Sequence, residues 1–231
     1  ILSKDTKQGK IVSKDYFASY QNNKWGVIDS NGDNVIDPSY AEMIIVPNSK
    51  NDVFLCTYDV DYDNNTYKTK ALNSENKEIF TEYDHVEAIS NKDTDNNLWY
   101  ENDVVRVEKN GLYGLIDLSG KELLQCEYDK IEALEGVQNT FKITKDGKVG
   151  IADNKGNVLI TPSYAEITSL DKDKSQGFIV KSSDGKYGIV DTANKQVLET
   201  KYDTVEKIYR NDYYVVTENG ECIMKNIKML I

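Results

Sequence analysis

The chain has 231 residues, 39% of them hydrophobic, and a net charge of −11. That composition is ordered rather than disordered, and its acidic balance excludes a nucleic-acid surface, which needs a basic stripe. One histidine, His85, and two arginines, Arg106 and Arg210, remove most acid–base, metal and bidentate-anion chemistry.

Taken from the N-terminus, the chain opens on a short apolar piece, Lys10-Ile11-Val12-Ser13. An alternating run at 16–20 then reads as a strand A, Lys24-Trp25-Gly26-Val27-Ile28-Asp29 as strand B, Val35-Ile36 as strand C and 41–46 as strand D. The series returns with A at 54–57, a degraded B at 69–73, C at Ile79-Phe80 and D at 85–89. Next come A at 104–107, B at 112–117, C at Leu123-Leu124 and D at 130–134. Two further rounds place A at 141–143 and 178–180, B at 148–153 and 186–191, C at 158–160 and 197–198, and D at 165–170 and 204–208. The chain closes on A at 213–216, a B-like 222–224 and a C-like 227–231. Such a period is too short for separate domains and fits stacked supersecondary units. No segment holds a 3.6-residue period, so almost no helix is expected.

The turns agree with this frame. Asn110-Gly111, Asp146-Gly147, Asp184-Gly185 and Asn219-Gly220 are the dipeptides of a type I′ hairpin between A and B. Strand B ends at Asp29, Asp117, Asp153 or Asp191, and Gly32, Gly120, Gly156 or Asn194 follows as the left-handed residue that closes a bulged hairpin. Pro38 and Pro162 are placed in the C–D corner, where no ladder donor is needed. Tyr40, Tyr83, Tyr128, Tyr164 and Tyr202 recur at one repeat position and are expected to be mostly buried. Gly26, Gly114, Gly150 and Gly188 also share one position, and an aromatic ring from a neighbouring strand is expected to cover each. The rival reading, backbone left open to a ligand, asks for a ligand in every unit. Cys56, Cys126 and Cys222 lack CxxC spacing and read as small buried hydrophobes.

Lys24-Trp25-Gly26-Val27-Ile28-Asp29, with Asn31-Gly32 and Pro38-Ser39-Tyr40 downstream, resembles the bacterial WG repeat, also called the KWG repeat. Tyr113 and Tyr187 replace the tryptophan in two later copies, Val149 in a third, and Thr69-Lys70 departs from the pattern. The resemblance implies one WG-repeat β domain over residues 1–231, in units near 16–48, 53–90, 104–136, 141–172 and 178–209, with 213–231 completed by 1–13. It implies a module of bacterial surface or secreted proteins, hence an extracellular or cell-surface location. It carries no defined activity and no catalytic residues.

The fold class expected is all-β: a repeat protein of short antiparallel strands, arranged as a six-bladed β-propeller closed by the N-terminal strand, with an open β-solenoid as the alternative. A chain that starts at Ile1 without a basic–apolar–small leader reads as a trimmed or mature fragment. No run approaches the ~18 apolar residues of a membrane helix.

Function is sought where the repeat breaks, because insertions map to loops. The second unit breaks twice, at 58–67 and 91–102, and these stretches concentrate Tyr58, Tyr62, Tyr67, Trp99 and Tyr100 among acidic and amide side chains. Exposed aromatics of this kind stack on sugar rings or anchor a protein partner. Asp59, Asp61 and Asp63 match the first ligand positions of a calcium loop, but Asn64 stands where its glycine belongs and Lys70 where its bidentate glutamate belongs. A solvated, twisted hairpin is the plainer account of them, and no cofactor is expected. His85 sits in a strand D whose counterparts include Lys130 and Thr204, so it does not read as a nucleophile's base. The reading is a noncatalytic binding or scaffold module for a protein or glycan; the alternative is a glycan-active propeller enzyme using carboxylates.

Overall fold

The computed structural model describes residues 6–11, 15–48, 52–93, 95–170, 177–208 and 213–226, and among these there is no helix. The first sheet runs in the order β1 (Thr6–Ile11), β2 (Tyr16–Gln21), β3 (Lys24–Asp29), β4 (Asn34–Tyr40). The second holds β5 (Phe54–Asp61), β6 (Thr66–Leu72) and β7 (Glu78–Ile79). β8 (His85–Glu87) precedes a two-stranded hairpin of β9 (Ser90–Lys92) and β10 (Leu98–Tyr100), then joins a third sheet with β11 (Val104–Lys109), β12 (Leu112–Asp117) and β13 (Glu122–Tyr128). The fourth sheet is β14 (Lys130–Ala133), β15 (Thr140–Lys145), β16 (Lys148–Asp153) and β17 (Val158–Tyr164). The fifth is β18 (Glu166–Ser169), β19 (Phe178–Lys181), β20 (Tyr187–Val190) and β21 (Gln196–Tyr202). The last described sheet is β22 (Thr204–Lys207), β23 (Tyr213–Glu218) and β24 (Glu221–Asn226). Two compact units divide the chain, one of Ile1–Ile89 with Tyr100–Cys126, the other of Ser90–Trp99 with Glu127–Ile231.

Strand D of one repeat pairs with strand A of the next, so the sheet and the sequence repeat are out of phase by one strand. Val86 faces Val107, Ile131 faces Ile143, Ile167 faces Val180 and Val205 faces Val216. The corner that causes this is the residue after the repeated tyrosine. The amides of Asp84, Asp129 and Asp203 donate to Glu108, Thr144 and Thr217 at 2.8, 2.8 and 2.7 Å. The carboxylates of Asp84 and Asp203 then accept from the turn amides of Asn110 at 2.8 Å and Asn219 at 3.0 Å. One aspartate therefore starts the new sheet and holds its type I′ turn.

This phase corrects the expected ring closure. β1 pairs with β2, Ile11 opposite Phe17 and Lys10 opposite Ala18, so the N-terminal strand fills the D place of its own first sheet rather than closing the C-terminal one. Strand D at 41–46 shrinks to a single bridge, Ile45 with Leu55. The C-like strand at 227–231 lies outside the described residues.

The glycine expectation is also corrected. Strand C bulges opposite each glycine: Trp25 pairs with Tyr40 but Val27 with Ile36, leaving Asp37-Pro38-Ser39 across from Gly26 alone. A Cβ on Gly26 would stand 2.6 Å from the Ile36 carbonyl oxygen and 2.8 Å from the Pro38 nitrogen, and one on Gly150 2.3 Å from the Ile160 oxygen. Backbone, not an aromatic ring, fills the space. The prolines accordingly sit within β4 and β17, in the bulge, where their missing N–H costs no ladder bond. The second sheet is the internal control. Lys70 occupies the glycine's place, and there β7 pairs in unbroken register, Ala71 with Ile79 and Leu72 with Glu78.

Each B–C turn is closed by one aspartate or asparagine. The Asp29 Oδ1 accepts from the amides of Asn31 at 2.8 Å and Asp33 at 3.0 Å. Asp153 does the same for Lys155 and Asn157, Asp191 for Ala193 and Lys195, and Asn73 for Glu75 and Lys77.

The sheets stack face to face within each unit. Val27, Ile36 and Tyr40 meet Phe54, Cys56 and Leu72, while Leu55 and Ala71 meet Val86, Val105 and Ile116. In the other unit Ile151 and Ile160 meet Phe178 and Val180, and Ile189 and Leu198 meet Tyr214 and Val216. Tyr40, Tyr128 and Tyr202 are buried as expected; Tyr83 and Tyr164 are half-buried. Of the cysteines only Cys56 is buried, its thiol pushed up to about 12 by desolvation, whereas Cys126 is half-buried and Cys222 exposed.

Candidate binding surface

Most A–B hairpins turn on two residues with positive φ, such as Asn22-Asn23 or Asn110-Gly111. In the second sheet β5 and β6 instead continue outward as an arm. Tyr58 pairs with Lys68 and Asp61 with Thr66, and the register slips between them, with Asp59 at φ 49°. Asp61 closes the tip: its Oδ1 accepts from the amides of Asp63 at 3.0 Å and Asn64 at 3.1 Å, and its Oδ2 from the Asn64 side chain at 2.8 Å. These hydrogen bonds, the Asn64 side chain first, hold the Asp61 carboxyl below its usual range. The stretch 58–67 is thus a built hairpin rather than a loose loop.

Strand alternation gives the arm two dissimilar sides. Cys56, Tyr58, Lys68 and Lys70 face the first sheet. The Lys70 ammonium lies 5.0 Å from the Tyr58 ring centre and 6.0 Å from that of Tyr40. At the tip Tyr62, 72% exposed, donates its hydroxyl to Glu42 at 2.8 Å, and that carboxylate raises the phenol pKa. On the first sheet Tyr20 and Trp25 pack at 5.0 Å. Thr57, Thr69 and Tyr67 line the other side, towards the third sheet. Thr69 Oγ1 accepts from the Val86 amide at 3.2 Å and stands 3.3 Å from His85 Nδ1. Tyr67, 47% exposed, lies beside Glu87, whose charge raises its phenol pKa. Glu87 pairs with Arg106, and the Arg106 guanidinium lies 5.1 Å from the Tyr113 ring centre.

The structure therefore keeps Tyr58, Tyr62 and Tyr67 together on the arm but on different sides of it. Trp99 and Tyr100 fall on β10, both half-buried. Their hairpin repeats the B–C turn chemistry: Asp93 Oδ1 accepts from the amides of Asp95 at 2.8 Å and Asn97 at 2.9 Å, with Asn96 at φ 62°. Buried Asn91 ties it down, donating to the carbonyls of Leu134 at 3.3 Å and Val137 at 3.2 Å and accepting from Gly136 at 3.1 Å. The Asp-x-x-Asn spacing at 93–96 is the signal that identifies this as framework.

Asp59 is engaged by Lys68 at 3.1 Å and Asp61 by its own turn. Among the described residues no group of three His, Cys, Asp or Glu side chains is placed to hold a metal ion. A shallow depression of about 170 Å³ is lined by Asp103, Asp117, Leu118 and Ser119; its Asp117 already closes a turn through Ser119 and Lys121. Among the described residues no helix is long and apolar enough to cross a membrane.

The WG containing repeat model matches residues 25–47, 113–148 and 187–222. These three stretches match the WG repeat. The matched stretches begin at Trp25, Tyr113 and Tyr187, the aromatic that precedes the bulge-facing glycine in each case. No curated protein matches the sequence. Among solved structures, apo AztD from Citrobacter koseri is similar over 100% of this chain and 72% of its own, at 11% identity and a TM-score of 0.38. BamB from Moraxella catarrhalis is similar over 95% and 76%, at 10% identity and 0.37. The AfRom2 CNH domain is similar over 100% and 85%, at 8% identity and 0.37. Likeness of this degree carries nothing about ligand or mechanism.

Proposed function

We propose that this WG-repeat chain is a noncatalytic binding module that recognises a protein or glycan at or outside a bacterial cell surface, and that the β5–β6 arm is its recognition element. The observation that carries this reading is the arm itself. It is a hairpin extended beyond the repeat, and it holds Tyr62 and Tyr67 exposed where most of the other A–B hairpins turn on two residues. Such rings bury large area for little lost side-chain entropy, which makes them efficient anchors. The carboxylates of Glu42 and Glu87 orient the two phenols and leave the rings' faces to a ligand. The surface location rests on the WG resemblance alone. The noncatalytic part is supported by His85, which is engaged with Thr69 inside a sheet, and by the aspartates, which are spent on turns.

The test is a glycan array and a pull-down from the bacterial envelope fraction, run in parallel on wild type, Tyr62→Ala and Tyr67→Ala. Losing either anchor ring is expected to weaken binding at least about tenfold, the cost of a hot-spot truncation. Binding unchanged in the Tyr62→Ala, Tyr67→Ala double variant would place recognition elsewhere. Turnover of any bound glycan would replace the module by the enzyme reading.

A further inference from the structure

We infer that the mouth of the layer between the first and second sheets, lined by Tyr20, Trp25, Tyr58 and Tyr62 with Glu42 at its rim, binds a neutral oligosaccharide of gluco-configured pyranose units. This rests on the β5–β6 arm being the recognition element, and it names the ligand of the arm's Tyr62 side. Residues opposite each other in a ladder share a face of their sheet. Tyr20 stands opposite Trp25, and Trp25 two residues before Val27, so both point to the second sheet. Tyr58 answers from that sheet, two residues past Cys56. Between the second and third sheets the same three places hold Thr57, Thr69 and Lys109, and between the fourth and fifth Thr144, Val149 and Ser182. Neither of those layers has a ring at its mouth. Between the fifth and last sheets the one ring there is Tyr187, with the Lys181 ammonium 5.0 Å from its centre. The repeat therefore does not demand the rings gathered at the first mouth.

Trp25 and Tyr58 pack on the buried core of the layer, and Tyr20 tilts against Trp25 at 5.0 Å between ring centres; all three are half-buried. Lys70, in the place of the repeat's glycine, fixes the Tyr58 ring from 5.0 Å. Tyr62 reaches over from the arm tip to Glu42, which follows β4. The hydrogen bond to Glu42 and, more weakly, the Tyr20 phenol raise the Tyr62 phenol pKa, so the two phenols share this mouth. Ring faces are electron-rich and attract the slightly positive axial C–H groups of a pyranose. A gluco-configured unit, with its substituents equatorial, presents such C–H groups on both faces. Glu42 Oε1 accepts from the Tyr62 hydroxyl, and its Oε2 is left to accept from a sugar hydroxyl. Glu42 at the rim, with Asp61 and Asp63 on either side of Tyr62 in the chain, repels an anionic sugar and selects a neutral one. A protein partner wants an apolar patch several side chains wide. Among the described residues of the first two sheets the exposed large hydrophobics are Tyr62 and Tyr67, on different sides of the arm. A sugar needs only one or two ring faces and an acceptor, and a contact of that size is expected at a dissociation constant of about 0.1–1 mM.

The chain carries two tryptophans, Trp25 and Trp99, so Trp99→Phe leaves Trp25 fluorescence as a reporter inside the mouth. Titration of that variant with cellotetraose and with chitotetraose is expected to shift Trp25 emission saturably for at least one of them, and tetragalacturonic acid to leave it unchanged. Calorimetry on the wild-type chain with the same sugars checks the affinity. Tyr62→Ala is expected to raise the dissociation constant at least about tenfold and Glu42→Ala about threefold. Both side chains are exposed, so the two variants keep the wild-type circular dichroism spectrum. Leu98→Ala, which trims an exposed side chain on β10, is expected to bind as its parent does. No saturable shift and no heat with either neutral sugar up to about 10 mM, equal binding of tetragalacturonic acid, or an unchanged affinity in Tyr62→Ala would each overturn the inference. An envelope protein held through Tyr62 while both neutral sugars fail would overturn it and leave the binding-module reading standing; failure of both sugars and of any Tyr62-dependent protein would remove the two together.

Discussion

Replacing Gly150 by alanine tests the reason this repeat keeps its glycine. The new Cβ would stand 2.3 Å from the Ile160 carbonyl oxygen and 2.7 Å from the Pro162 nitrogen. Carbon needs about 3.5 Å or more from a non-bonded atom, so strand β17 must retreat by roughly 1 Å. Both atoms belong to backbone, and no rotamer change relieves the clash. Overpacking of this kind costs about 1–3 kcal/mol, and disturbing the bulged ladder forfeits a hydrogen bond worth about 1 kcal/mol. The expected loss is therefore about 2–4 kcal/mol. Gly147→Ala is the control. Its Cβ meets nothing within 4 Å, and its φ of +69° leaves only the left-handed penalty, about 1–2 kcal/mol. Urea titrations of both variants read the difference, and for a chain of this size each kcal/mol is also about 2–4 °C in Tm. A Gly150→Ala loss no larger than that of Gly147→Ala would refute the bulge as the glycine's cause.

Tyr202→Ala, which empties a site only 4% exposed, is expected to cost about 3–5 kcal/mol, and Tyr83→Ala, half-buried, clearly less; equal urea midpoints for the two would contradict the burial argument. Acid should loosen the turns. Backbone hydrogen bonds hold the Asp29 carboxyl below its usual range, and the Asn64 and Asn97 side chains do the same for Asp61 and Asp93. A folded pKa below the unfolded one contributes stability that is present above the unfolded value, about 3.9, and is lost as pH falls through the folded one. Urea midpoints are therefore expected to fall below about pH 4 more than between pH 7 and 5, and a flat profile down to pH 3 would count against it.

The strands, the type I′ turns and the all-β class were legible because each is a local property. Asn110-Gly111, Asp146-Gly147 and Asn219-Gly220 do sit at positive φ on both residues, whereas at Asp184-Gly185 only the glycine does and the turn spans Ser182–Lys186. What was not legible is pairing. Strand D at 204–208 has the same composition whether it closes one repeat or opens the next. Only the hydrogen bonds of Asp203 to Thr217 and Asn219 decide that it opens the next. The Tyr-Asp dipeptides at 83–84, 128–129 and 202–203 carried that information, and the tyrosine drew attention away from its neighbour. The glycine was misread for a related reason. A missing Cβ says that something approaches closely, but whether a ring or a backbone does so depends on a bulge in another strand.

The site divides the same way. Tyr62 and Tyr67 stood out because their hairpin is longer than its siblings, and length is visible in one dimension. That one phenol is oriented by Glu42 and the other by Glu87 was not visible, since Glu42 lies in the bend after β4 and Glu87 on β8. The aromatics of 98–100 stood out equally by composition, yet Asn91 and the Asp93 turn commit that hairpin to framework. Composition thus finds side chains free to bind, and hydrogen bonding decides which of them the fold has already used. By that test the repeat's own turn aspartates and strand-B glycines are used by the fold where they occur. Tyr62 and Tyr67 on the arm are left over, and the repeat does not require their exposure.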